Sequence, residues 1–476
     1  MLPSKFDLLV MKFGGTSVGS ASAMKTVLEI VRDEKKKWKN VVVVISAISG
    51  TTNILLDTAA QAAAGDDALI SKSVSELRTR HFEILDQTVN TPEINKNVKS
   101  SINELIEEFR SLCHAMFVLG ETTPRALDAV ASLGERMSVR LLAAIFNDAG
   151  LPAQFAEATE MVITNNLYQN ANPDFPATQV ATHQKLRPLF SDGITPIVTG
   201  FIGATPQGIT TTLGRGGSDY SAAILGAVLN ADDVWIWTDV DGVMTADPRI
   251  VKDARTIPSI SYSEIAELAY YGAKVLHPKT VKPVVEAGIG LRICNTFNPT
   301  HPGTRLIANA EVQEPTEISQ IIKAVTPIRN QKLVTIEGRG MLGVPGLAAR
   351  AFAAVASTGT SVPLITQSSS EQSICFAIPS APSDNVINAL RNEFVKELAN
   401  NDIDGVFASE PVSILTVVGY GTKNTPGIAG RIFSKLGDEA INVLAIAHGS
   451  SDVSVSLVIG SKDDSRAVLA LHNLIN

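Results

Sequence analysis

The chain has 476 residues, a formal net charge of -8 and 45% hydrophobic residues. Such a length exceeds one domain and predicts about two to four, each with enough apolar content for a core. An acidic balance without a basic stripe argues against nucleic acid as a partner, and no apolar run approaches the roughly 18 residues of a membrane span.

Taken in chain order, Leu8-Leu9-Val10 reads as a short buried strand that runs into MKFGGTSVGS at 11–20. Gly14 and Gly15 let the backbone turn tightly and approach a ligand closely. Thr16, Ser17 and Ser20 place hydroxyl and N–H groups near the start of the next helix, a setting suited to phosphate. Lys12 is the one cation placed to meet it. The order is wrong for a Walker A loop, whose lysine follows its glycines.

The run VVVVIS at 41–46 is nearly all β-branched and marks a strand buried on both faces. Ser46, Thr51 and Thr52 follow its carboxyl end, where open parallel sheets bind ligands; the same residues also make an ordinary helix cap. Helix patterns follow at 53–64 and 126–149. The more charged stretch 66–120 between them predicts an inserted helical subdomain. Within 126–149, Glu135 and Arg136 follow Gly134 in an apolar helix, costly unless they pair or are used.

A strand at 195–200 precedes TTTLGRGGSDY at 210–220. Three threonines form a short strand, and Gly214, Gly216 and Gly217 surround Arg215. Ser218 and Asp219 read as cap residues of a helix at 218–230. A helix N-terminus beside a glycine loop suits an anion, and Arg215 adds a planar fork for carboxylate or phosphate. The strand at 234–238 ends in Thr238-Asp239 and a loop with Asp241, Asp247 and Arg249, which lacks EF-hand spacing. A helix at 262–275 opens on a Ser261/Glu264 capping box and carries Lys274 near its end, with Pro278 just beyond. The strand at 291–295 closes the series, and 296–317, with three prolines, reads as linker. The alternation predicts an α/β fold, a mainly parallel sheet between helical layers, over 1–305.

The C-terminal part contains a duplication at an offset of 81. Gly338-Arg-Gly-Met-Leu-Gly-Val-Pro-Gly346 aligns with Gly419-Tyr-Gly-Thr-Lys-Asn-Thr-Pro-Gly427, and the register persists without a gap through Ser373 and Ser454. Each copy reads strand, glycine turn, helix, strand, polar turn, strand. We expect a linker and first strand at 306–330, then α+β modules at 331–408 and 409–476. Cys113, Cys294 and Cys375 are too scattered for a disulfide framework or zinc site and suit a reducing cytosol. The N-terminus has no basic region leading into an apolar core, so no signal peptide is expected.

KFGGTSVG, TTLGRGGSDYSA, WTDVDGV with TADPR, and YGAKVLHP occur in an order and spacing that resemble the aspartokinases of the amino acid kinase superfamily. The resemblance covers nearly the whole chain. It implies an amino acid kinase fold followed by a pair of ferredoxin-like ACT domains. It also implies ATP-dependent phosphorylation of the side-chain carboxylate of L-aspartate to 4-phospho-L-aspartate, the entry step to lysine, threonine and methionine synthesis. By the same resemblance Lys12, oriented by Asp219, stabilises charge on the transferring phosphoryl group. Gly14, Gly15, Thr16 and Ser17 supply donors to ATP, and Thr238, Asp239, Arg249, Lys274 and Val275 match nucleotide-contacting positions. Arg215 takes the α-carboxylate of aspartate and Glu135 its amine, while Ser46, Thr52, Gly216, Gly217 and Ser218 complete the substrate site. Magnesium is expected with ATP, held mostly by phosphate oxygens and water. Met244 stands where many members carry tyrosine.

In the ACT pair the resemblance places an effector amino acid, threonine and/or lysine, against Met341, Val344, Gly346, Val362, Gln367 and Ser369. The first copy is closest to tails of threonine-responsive members; the second carries His448 where related tails often have Gln. The resemblance and the sequence ending at Asn476 give the expectation of a monofunctional cytoplasmic enzyme, a homodimer through its ACT modules and possibly a tetramer. Another carboxylate, carbamate or nucleotide kinase of the superfamily, and an amino-acid sensor with a dead kinase half, are the competing readings. The four strings oppose the first, and intact Lys12, Glu135, Arg215 and Asp219 oppose the second.

Overall fold

Lys12 does not end the first strand but lies within it. In the computed structural model, which describes residues 8–271, 276, 278–309, 321–341, 344–367, 372–422, 424–447 and 452–475, β1 spans Leu8–Phe13. Contacts within the chain define two units. The first comprises Met1–Val243, Thr256–Tyr262 and Leu276–Ala308; the second comprises Met244–Arg255, Ser263–Val275 and Asn309–Asn476.

The first unit continues with α1 (Ala21–Glu34), β2 (Asn40–Ile45), α2 (Thr51–Ala63), α3 (Ala68–Thr88), α4 (Pro92–Leu119) and α5 (Pro124–Asp148). Next come β3 (Ala153–Ala156), α6 (Phe175–Ser191), β4 (Thr195–Thr199), β5 (Ile202–Ala204), β6 (Thr210–Thr212), α7 (Gly217–Leu229) and β7 (Asp233–Thr238). After β8 (Ser259–Ser261) and α8 (Tyr262–Tyr270), most of which groups with the second unit, come α9 (Pro278–Glu286), β9 (Gly290–Asn295) and β10 (Thr304–Ile307). Eight strands form one sheet in the order β3-β4-β2-β1-β7-β9-β10-β8, and only β9 and β10 pair antiparallel.

Strand periodicity decides what β1 presents to each side. Leu9, Met11 and Phe13 enter the core built with α1 to α5, so Lys12 points to the opposite face, on which α7 packs. Phe13 is fully buried and stacks on Trp237 with ring centroids 5.7 Å apart; burying such a side chain contributes about 1.5–3 kcal/mol. The helical stretch expected at 66–120 is the pair α3 and α4. Ser20 caps α1 by accepting from Ala23 N, and Thr123 caps α5 by accepting from Ala126 N ahead of Pro124.

One stretch of punctuation was misread in the sequence. The stretch 296–317 is not wholly linker, because it contains β10, which pairs with β9 and β8. Gly303 makes this possible: at φ +71 its hydrogen faces Ile293 O, and a Cβ there would lie 2.0 Å away. Pro278 lies beyond α8, as expected, and also opens a second helix, α9, at the position where a missing N–H costs nothing. The expected helix at 262–275 is α8, ending at Tyr270, and residues 272–275 lie outside the described ones.

In the second unit, the first copy contains β11 (Ala324–Glu337), α10 (Leu347–Ser357), β12 (Leu364–Gln367), β13 (Ser373–Pro379), α11 (Ser383–Glu393), α12 (Val395–Ala399) and β14 (Gly405–Ala408). The second contains β15 (Val412–Val418), α13 (Ile428–Asp438), β16 (Val443–Ala447), β17 (Ser454–Gly460) and α14 (Asp464–His472). The duplication is visible in backbone angles: Gly346 and Gly427 precede α10 and α13 with φ of +89 and +91. The copies share one sheet in the order β12-β13-β11-β15-β17-β16, joined by antiparallel pairing of β11 with β15. Glu264 of α8, fully buried, accepts from Lys323 Nζ at 2.9 Å and from Tyr420 N at 2.8 Å. Among the described residues no helix is long and apolar enough to cross a membrane.

Candidate active site

A cleft of about 580 Å³ opens beyond the carboxyl ends of β1 and β2, the position that open parallel sheets favour for ligands. It gathers Lys12, Gly15, Ser46, Thr52, Glu135, Arg215, Gly216, Gly217, Ser218 and Asp219. Three elements set its character: the strand holding Lys12, the middle of α5, and the glycine loop that opens α7.

Lys12 Nζ forms an ion pair with Asp219 Oδ1 at 2.6 Å. Asp219 stands in the first turn of α7, so it is not a helix cap. Gly216, at φ +67, takes the N-cap position, and neither Ser218 nor Asp219 caps the helix as the sequence suggested. A glycine cap leaves the first N–H groups of α7 without a side-chain partner and turned toward the cleft edge. Gly217 is needed for another reason, since a Cβ there would lie 2.5 Å from the Phe201 ring. The Arg215 guanidinium is exposed at the cleft and has no ion-pair or hydrogen-bond partner among the described residues.

Glu135 is 3% exposed. It does not pair with Arg136, which binds Glu108 and Glu157 instead, so the structural Glu–Arg reading fails. Burial pushes its carboxyl up to about 8, against the pull of a hydrogen bond from the Ala47 backbone. Its Oε2 has no partner among the described residues. A buried carboxylate oxygen left open beside a cleft is costly unless a cation completes it.

Seven residues earlier on α5, two helical turns away, Asp128 presents the opposite case. It is 1% exposed and lines the same cleft. Its carboxylate accepts from Gln169 N at 3.0 and 3.1 Å, from Thr212 N at 3.0 Å and from Thr212 Oγ1 at 2.7 Å. Burial raises its pKa, and these bonds draw it back. The sequence reading missed Asp128; the one available signal was an acidic residue within an apolar helical stretch.

Other expected residues lie elsewhere. Thr51 is fully buried and does not line the cleft, whereas Thr52 does. Ser17 is buried, and its hydroxyl shares a 2.7 Å hydrogen bond with Thr296 Oγ1. Thr16 is exposed, and Gly14 N donates to Trp237 O. Thr238 ends β7 and its hydroxyl donates to Asp239 Oδ1 just beyond the strand. Arg249 belongs to the second unit and pairs with Asp247. None of these lines the cleft. Lys274 and Val275 lie outside the described residues. Asp241 is occupied by Asn295 and Asn298, and no group of His, Cys, Asp or Glu among the described residues could hold a metal ion.

Residues 7–295 match the amino acid kinase family, and 334–394 and 415–474 match an ACT domain. The chain is 33% identical over 468 residues to the lysine-sensitive aspartokinase 3 of Escherichia coli, covering 98% of this chain and 99% of that one. The chain belongs to the aspartokinase family. It is also 35% identical to a chloroplastic bifunctional aspartokinase/homoserine dehydrogenase of Arabidopsis thaliana, and spans 51% of that protein's length. The chain thus spans about half the length of the bifunctional relatives it matches. The E. coli aspartokinase III crystal structure in complex with aspartate and ADP superposes with a TM-score of 0.79 at 31% identity, covering 98% of this chain and 99% of that one.

In the first ACT copy a hollow of about 340 Å³ is lined by Met341, Val344, Gly346 and Gln367, together with Leu347 and Ile374. Of the other expected effector residues, Val362 packs against the core of this copy and does not line the hollow. Ser369 and His448 lie outside the described residues. In the second copy Thr422 takes the place of Met341 and donates to Asp452 O.

Proposed function

We propose that this chain phosphorylates the side-chain carboxylate of L-aspartate with ATP. One observation carries the reading: a single cleft holds the Lys12–Asp219 pair, an unpaired Arg215 and a buried Glu135 with an open oxygen. Aspartate offers two carboxylates and one ammonium, the complement of that set. Arg215 takes the α-carboxylate as a fork, and Glu135 takes the ammonium. Ser46 and Thr52 hold the side-chain carboxylate. An oxygen of that carboxylate attacks the γ-phosphorus, the bond to the β–γ bridging oxygen breaks, and ADP leaves. No protein nucleophile or proton transfer is needed, so the protein acts by positioning and charge neutralisation.

Lys12 neutralises charge on the phosphoryl oxygens, and Asp219 keeps its ammonium at the mouth of the α7 N-terminus. Gly15 lines the cleft; it and its neighbours Gly14 and Thr16 are assigned to the phosphates by family likeness. Thr238, Asp239, Arg249, Lys274 and Val275 are assigned to the nucleotide by family likeness. Magnesium would enter with ATP, held mostly by phosphate oxygens and water, and would lower the phosphate charge. The hollow in the first ACT copy receives the effector amino acid, and the chain assembles as a homodimer through its ACT copies. Its three free cysteines suit the reducing cytoplasm.

The test is a coupled ATP-consumption assay with aspartate, glutamate and UMP as acceptors, with lysine and threonine added separately. Turnover on aspartate alone, lowered by at least one of the two amino acids, is the expected result. Turnover on another acceptor, or none, overturns the reading.

A further inference from the structure

Two chain segments with no common element meet on one carboxylate at the edge of the cleft. The first is the turn at Gln169, held at φ +65, a conformation that non-glycine residues seldom adopt. The second is β6, whose last residue, Thr212, stands three positions before Arg215. Asp128 binds both, by the backbone N–H of Gln169 and by both donors of Thr212.

The segments also meet directly. Ala171 N donates to Thr212 O at 2.9 Å. A Cβ on Gly214 would lie 2.9 Å from Asn170 Oδ1 and 3.0 Å from Gln169 O. Arg215 itself has no partner among the described residues, so the backbone that carries it must fix its place.

A side chain without an acceptor would not do this work. The carboxylate faces two backbone N–H groups and one hydroxyl. An alanine would leave both N–H groups buried without that partner, whereas an asparagine could keep both on its one oxygen and turn its NH2 group to the Thr212 hydroxyl, which can accept.

We propose that Asp128 is a positioning residue for the amino acid substrate: it holds the Arg215 loop and the Gln169 turn together, and so sets the affinity of the cleft for aspartate. The inference rests on the aspartate kinase reading. Asp128 differs from Glu135 in having no open oxygen to offer a ligand, and its action is through Arg215 and Gln169.

The experiment compares wild type, Asp128→Ala and Thr212→Val. For Asp128→Ala the KM for aspartate is expected to rise about tenfold or more, with the KM for ATP changed by less than about twofold. Thr212→Val, which removes one of the bonds and keeps the charge, should raise the aspartate KM about threefold. Hydrogen exchange at the Gln169 and Thr212 amides should quicken in Asp128→Ala. Equal changes in both KM values, or wild-type kinetics in whatever enzyme folds, overturn the proposal.

Calorimetric titration with aspartate separates the two claims. If wild type binds aspartate but does not phosphorylate it, the kinase reading fails. Weaker aspartate binding by Asp128→Ala then still supports the positioning role, and equal binding refutes it. Aspartate that binds neither protein overturns both.

Discussion

Lys12 Nζ sits 2.6 Å from Asp219 Oδ1, with side chains 11% and 17% exposed. The contact joins a central strand of the first sheet to the first turn of α7, so the cation is in place before any ligand arrives. Lys12→Ala is expected to abolish turnover while nucleotide still binds, and to leave Asp219 uncompensated, at a cost of about 3 kcal/mol. Adding Asp219→Ala should restore much of the stability and none of the activity. Melting temperature and turnover on the three proteins check this; near-normal turnover in Lys12→Ala would remove the role given to it.

Glu135 is expected to make aspartate affinity depend on pH. Its carboxyl lies at about 8 in the free protein, raised by burial, and only the ionised form can hold an ammonium. Aspartate affinity should therefore rise from pH 6 to 8 and level off above, by up to about tenfold per pH unit. The stability term has the opposite sign. A carboxyl raised on folding favours the folded state at low pH, and that advantage shrinks as pH climbs from 4.5 toward 8. Glu135→Gln should flatten both curves; a wild-type KM for aspartate that does not change over this range would contradict the assignment.

Glu264 tests the second unit. Its buried carboxylate holds Lys323 and the Tyr420 amide, so Glu264→Ala should cost about 3 kcal/mol by breaking the ion pair and taking the acceptor from the Tyr420 amide. Lys323→Met alone should also destabilise, and the double variant should lose less than the sum of the two. Denaturant titrations of the three variants measure this, and additive losses would show that the pair is not coupled.

Gln367 lines the hollow of the first ACT copy with Met341 and Gly346. Gln367→Ala should raise the concentration of effector needed for half-inhibition about tenfold or more, the loss of one or two polar contacts. The uninhibited rate should hardly change. Inhibition curves that superimpose on wild type would take Gln367 out of the effector site.

Much of this was legible in the sequence where one residue type has one physical use. The β-branched runs gave β2, β4 and β7 nearly to the residue, and the glycines around Arg215 marked a close backbone approach. Glu135 stood out because an acid inside an apolar helix must be explained. What stayed hidden depended on partners far along the chain. Asp128 has the same local signature as an ordinary helical acid until Gln169 and Thr212 are seen upon it. β10 was obscured by Pro299, Pro302 and Gly303, which announce a loop, although Gly303 is there to let the strand edge close on Ile293. Ser218 and Asp219 have the chemistry of caps, but Gly216 had already taken that position and freed Asp219 for Lys12.

The antiparallel seam between β11 and β15 makes the repeat indivisible. Severing the chain between its halves would strip the amide and carbonyl row of β15 and that of β11 from Ala324 to Gln331, and turn these stretches into raw edges, the kind that recruit stray strands. What looks in the letters like two interchangeable parts is thus a single object: half of it, expressed alone, should be sticky and short-lived rather than a smaller version of the whole.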